Sequence, residues 1–87
     1  MECHVLKIYP QYFEDIERGL KTFEVRFNDR NYRVGDLLLL REFDPAGEEY
    51  SGCILICKVI YILSDHSYVR DGFCILGFDL ISSLSVG

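Results

Sequence analysis

Apolar and polar residues alternate with period two along most of this chain, and the rhythm turns helical only once. His4-Val5-Leu6-Lys7-Ile8 reads as a first strand, since alternation places every second side chain on one face. Pro10 then opens a short helix, where its missing N–H costs little. Phe13, Ile16 and Leu20 recur at helical spacing as an apolar stripe, with Glu14, Asp15 and Glu17 on the wet side. Gly19 stops the helix at a position suited to a left-handed conformation. A second strand follows at once, Thr22 to Phe27. Its alternation separates Phe23, Val25 and Phe27 from Thr22, Glu24 and Arg26. The apolar set is expected to face the core and the charged set to form a binding or solvated side.

The remaining segments are strands and turns. Asn28-Asp29-Arg30-Asn31 and Val34-Gly35-Asp36 are turn signals. Leu37 to Phe43 is a strand whose unbroken leucines suggest burial on both sides. Asp44-Pro45-Ala46-Gly47 is a loop, and Tyr50 to Leu63 holds one long strand in which Gly52 marks a bulge or bend. Ser64 to Gly72 is a polar connection to a last strand, Phe73 to Asp79. Residues 81–87 read as a frayed, serine-containing tail. The expectation is an α+β, mainly β, single domain over residues 1–87: a compact barrel of five or six strands with one principal capping helix, because curling toward closure hides strand edges.

Composition narrows the function. An apolar share of 49% and an aromatic share of 14% are globular values. The longest aliphatic run, Leu37 to Leu40, is four residues, far from the ~20 that cross a bilayer, so no membrane association is expected. The start of the chain lacks the pattern of a signal peptide, which makes the cytoplasm the expected location. Cys3, Cys53, Cys57 and Cys74 then read as free thiols. Cys53 and Cys57 would lie about 13 Å apart along a strand, at ~3.3 Å per residue, too far to share one zinc. Neither a metal nor a cofactor is expected.

The net charge of −5 argues against a surface that coats phosphates generally. Yet five of the nine basic residues, Arg18, Lys21, Arg26, Arg30 and Arg33, fall between positions 18 and 33. A local positive patch on an acidic protein suits a small or single-stranded anion. Pairing of those cations with surface acids is the structural alternative.

The spacing Gly19-x-Lys21-Thr22-x-Glu24-x-Arg26 resembles the G-x-K-x-x-E-x-R signature of the ASCH superfamily, which has a PUA-like β-barrel. His4-x-Leu6-Lys7-Ile8, Tyr12-Phe13, Asn28-Asp29-Arg30, Val34-Gly35-Asp36, Tyr61-Ile62-Leu63 and Gly72-Phe73-Cys74-Ile75-Leu76 are similar to a small bacterial and phage branch of unknown function. The likeness spans about residues 3–80. It implies a cleft at the barrel mouth that takes RNA or a nucleotide-like ligand. Lys21, Glu24 and Arg26 would line it, with Thr22, Asn28, Asp29 and Arg30 in support.

Chemistry agrees with such a role. Arg26 offers a planar fork of donors, Lys21 a point charge, and Glu24 an acceptor for an exocyclic amine or an anchor for Arg26. Tyr9, Tyr12, Tyr32 or Phe27 would stack on a base, unless they belong to the core. Two alternatives stand beside this one. One ASCH subgroup resembles amidohydrolases that deacylate modified cytidine nucleosides with a threonine nucleophile, a lysine and a distant glutamate. Here Lys21 matches, but Glu24 holds the nucleophile position, and a short segment, Ser64 to Gly72, stands where the acid would be. The other is a non-catalytic interaction module, dimeric through an exposed strand edge. His4 is expected to be a satisfied structural histidine and His66 a surface residue or a late contributor to the cleft.

Overall fold

A computed structural model describes residues 1–85. The elements run β1 (Cys3–Ile8), α1 (Pro10–Glu17), β2 (Phe23–Phe27), β3 (Leu37–Asp44), β4 (Glu49–Leu63) and β5 (Phe73–Ser85). They form a five-stranded sheet in the order β1-β3-β4-β5-β2. The β1–β3 pair is parallel; the other three pairs are antiparallel. The sheet curls into a half-barrel with the single short helix against it, the mainly β architecture expected from the alternation. No helix among the described residues is long and apolar enough to cross a membrane.

Side chains at paired positions point to the same side of a sheet. The inner row therefore joins Leu6 to Leu40 and Leu40 to Leu55, and Leu38 to Cys57. Leu38, Leu40, Leu55, Val59 and Leu76 are fully buried there, and Phe13 and Ile16 bring α1 onto them. Each such aliphatic contributes roughly 1.5–3 kcal/mol by leaving water.

Two local devices set the frame. Gly19, at φ 77°, is the left-handed residue after α1. Its N–H bonds to Ile16 O and that of Leu20 to Asp15 O, a Schellman cap that turns the chain directly into β2. Gly52, at φ 91°, lies where the β3–β4 register slips between Arg41 and Phe43, the bulge that a strand glycine signals. Elsewhere Asp36 is buried and accepts hydrogen bonds from His4 Nε2 at 2.8 Å and from the main-chain N–H groups of Glu2 and Arg33. His4 is thus a satisfied core histidine, edge-on to Tyr32 at 4.7 Å. Burial alone would raise the Asp36 carboxyl. The hydrogen bonds from His4, Glu2 and Arg33 outweigh it and hold the group below the usual carboxylate range.

Three expectations need correction. First, Phe23, Val25 and Phe27 do not face the core. They lie on the outer, convex side at 45%, 52% and 57% exposure, while Glu24 on the inner side is 6% exposed. The reason is position: β2 is an outer strand, and the concave space beside it is a cleft rather than packed core. Second, α1 ends at Glu17, so Leu20 lies in the cap, exposed, rather than on the helix stripe. Third, residues 81–85 are not frayed. They continue β5, with Ser82 to Ser85 paired to Ile56 through Cys53, because the long β4 offers them a ladder. Residues 86 and 87 of the expected tail lie outside the described residues. The cysteines also divide: Cys57 and Cys74 are buried, Cys53 is half-buried and Cys3 exposed.

Candidate ligand cleft

Strands β1 and β2 are the two outer strands of the sheet, and its curl brings them toward each other. No backbone ladder joins them among the described residues. Arginine side chains span the seam instead. Arg26 donates through Nη2 to Lys7 O at 2.5 Å, and Arg30 through Nη1 to Val5 O at 3.1 Å. The outward-directed carbonyls of an edge strand are satisfied this way without a fifth pairing.

A cleft of about 390 Å³ opens in this seam. Its walls come from β2 (Glu24 to Phe27), from Lys7 and Ile8 at the end of β1, and from Tyr9 and Tyr12 at the start of α1. The β2 alternation turns Glu24 and Arg26 inward, opposite Leu76 and Cys74 on β5. Glu24 Oε1 takes a hydrogen bond from Lys21 Nζ at 2.5 Å, and Oε2 takes one from Arg26 Nε at 3.1 Å. One buried carboxylate therefore fixes two cations whose side chains are 17% and 23% exposed. Lys21 also donates to Phe23 O, and its ammonium lies 5.4 Å from the Tyr12 ring centroid. These contacts remove rotamer freedom from both cations in advance of any ligand.

The electrostatics are local. Lys21 and Arg26 share a single carboxylate here, in a protein whose total charge is −5, while the Lys7 ammonium turns away over the Phe43 ring at 4.4 Å. Beneath the cleft, burial pushes the Cys57 thiol up to about 12, with the Glu24 charge adding to the effect. That thiol stays protonated and is a packing group.

The residues expected from sequence separate into three groups. Lys21, Glu24 and Arg26 form one hydrogen-bonded cluster. Arg30 reaches the seam one step further along, on Val5 O. Thr22, Asn28 and Asp29 are exposed and do not line the cleft. The Thr22 carbonyl accepts from Phe78 N–H, and Asn28 N–H bonds to Gly72 O, so both serve the backbone framework. Among the aromatic candidates, Tyr9 and Tyr12 line the cleft and Tyr32 belongs to the core; Phe27 borders the cleft, but its ring packs edge-on to Phe73 at 5.5 Å on the outer side. Lys7 was not expected in the site. Its place at the end of β1 was legible, but the seam that brings β1 to β2 was not. Of the clustered basic residues, Arg18 follows the structural alternative and pairs with Glu14 on the exposed side of α1.

Residues 3–78 match the model of a protein family described as a domain of unknown function, DUF3850. The chain belongs to that family. The DUF3850 match runs from β1 to the middle of β5 and so contains both sides of the seam. The chain is also similar to an uncharacterized 12.9 kDa protein in the GpA 3′ region of Escherichia phage P2, 40% identical over 42 residues. That stretch is 48% of this chain and 38% of the phage protein, so the likeness spans well under half the relative's length.

Proposed function

We propose that this DUF3850 protein binds a nucleotide or a short single-stranded RNA in the seam cleft, and that the domain is an ASCH-type, PUA-like module. The observation that carries the reading is the pairing of Lys21 and Arg26 on one buried carboxylate beside two exposed tyrosines. Arg26, its Nε held by Glu24 and its Nη2 by Lys7 O, offers Nη1 to a phosphate or a carbonyl edge, and Lys21 adds a point charge. Tyr9 and Tyr12, at 48% and 41% exposure, offer rings on which a base stacks. A cleft of about 390 Å³ is near the lower end of small-ligand sites, roughly 300–1,000 Å³, which matches one nucleotide unit rather than a duplex. The Gly19-x-Lys21-x-x-Glu24-x-Arg26 spacing supports the superfamily assignment.

Hydrolysis of acylated nucleosides is not favoured. Thr22 is exposed and outside the cleft lining, and Glu24 is occupied in holding two cations. The test is a titration of short single-stranded RNA and of free mononucleotides at low salt. Wild type should bind, Tyr12→Ala should weaken the contact, and Arg26→Ala should weaken it most. Absence of binding by wild type, or equal affinity in all three, would refute the proposal.

A further inference from the structure

The seam holds a second arginine beyond the cleft. Arg30 is exposed and uses one donor, Nη1, on Val5 O; its Nε and Nη2 have no partner among the described residues. Arg26 likewise keeps Nη1 free beside Lys7 O. Val5 and Lys7 are two residues apart on β1, so their carbonyls point the same way and lie roughly 6.6 Å apart, at ~3.3 Å per residue. Two guanidinium groups anchored at that interval make a row of positive charge along the β1 edge. The interval matches the step between neighbouring phosphates in an extended single strand, whose backbone follows a basic groove.

A hydroxyl opens at the same place. Tyr32 is 8% exposed, its ring packed edge-on to His4 at 4.7 Å. No group among the described residues hydrogen-bonds its hydroxyl, and no unpartnered side-chain oxygen there is sealed from water, so this hydroxyl reaches the solvent. The charges of Arg30 and Arg26 both act on it, against one carboxylate, that of Asp29. Burial nevertheless raises the phenol above its ordinary value, so it remains a proton donor.

We propose that Arg30 and the Tyr32 hydroxyl form a second phosphate subsite beside Arg26, and that the ligand is a single strand of two or more nucleotides lying along β1. This rests on the cleft reading above and extends it from one nucleotide to a strand. The base stacked at Tyr9 and Tyr12 marks one end, and the chain leads from Lys7 toward Val5. Arg30 meets the next phosphate through Nε and Nη2, and Tyr32 donates to one of its oxygens. Two phosphates joined directly, as in a nucleoside diphosphate, are too close together to use both arginines.

Calorimetric titration at constant low ionic strength with UMP, UDP and the doubly phosphorylated dinucleotide pUpU tests this. Wild type should bind pUpU roughly tenfold or more tightly than UMP. Arg30→Gln should erase that advantage and leave UMP binding as it was, because Arg30 does not line the cleft. Tyr32→Phe keeps the ring against His4 and should weaken pUpU binding roughly threefold, again without change for UMP. UDP should show no gain that Arg30→Gln removes. Equal binding of UMP and pUpU, or a pUpU advantage that survives Arg30→Gln, overturns the second subsite while the cleft reading stands. A UDP gain lost in Arg30→Gln overturns the strand, and a wild type that binds no probe removes both readings. Circular dichroism checks the variants; should Arg30→Gln lose its fold, Tyr32→Phe decides by the same comparison.

Discussion

Strands β2 and β3 sit at different places in one curled sheet and use their inner faces in opposite ways. β3 lies between β1 and β4 and turns Leu38 and Leu40 into a dry core at 0% exposure. β2 lies at the sheet's end and turns Glu24 and Arg26 inward, leaving Phe23, Val25 and Phe27 outside. Where neighbours close over a strand, inward positions must be apolar, since an unpaired charge there costs several kcal/mol. Where the barrel stays open, inward positions border a cleft, and charge is tolerated because Glu24, Lys21 and Arg26 compensate one another. The lesson is that a half-barrel has two interiors, one for packing and one for binding.

Substitutions can break that contrast. Leu40→Ala should have the largest effect, a loss of roughly 3–5 kcal/mol in urea unfolding, because it empties a fully buried site. Val25→Ala on the outer face of β2 should cost under about 1 kcal/mol in the same measurement. Equal losses would deny the difference between the two strands.

Acid should sharpen it next. The folded-state carboxyl of Asp36 lies below its ordinary value, so its contribution is present above about pH 4 and fades as pH falls through the folded value. Asp36→Ala should cost about 3 kcal/mol at neutral pH by stranding the buried His4 and two main-chain donors. The variant should also lose part of the wild-type dependence of stability on acid, read from melting temperatures across the acid range. An unchanged slope would contradict the role given to this carboxylate.

Glu24→Ala should cost less, about 2 kcal/mol, since its partners keep some contact with water. It should also leave Lys21 and Arg26 free to move, visible as broadened side-chain resonances. Gly19→Ala is a smaller change than these: no atom lies within 4 Å of an added Cβ, and the penalty is the left-handed backbone alone, about 1 kcal/mol.

Much of this fold could be read from residue order. Alternation located the strands, Pro10 and Gly19 bracketed the helix, and Gly52 marked the bulge. Alternation also separated Glu24 and Arg26 from Phe23, Val25 and Phe27, but it could not say which set faces inward. Periodicity defines two faces; only the position of a strand in the sheet decides which one is covered. The same limit hid Lys7, because nothing in β1 signals that its edge meets Arg26 and Arg30 across a seam. Residues 81–85 misled for a related reason: their small polar side chains suggest a loose end, yet a ladder from β4 depends on backbone and not on composition. Thr22, Asn28 and Asp29 were neighbours of the signature in sequence, and turn geometry carried them away from the cleft.

The most direct test is amide NMR of the protein during titration with a mononucleotide. The account predicts saturable shifts concentrated at Lys7, Tyr9, Tyr12 and Glu24 to Phe27, with the Tyr61 and Ile75 amides on the convex face unmoved. Saturable shifts confined to that convex face, or none at all at any nucleotide concentration, would contradict it.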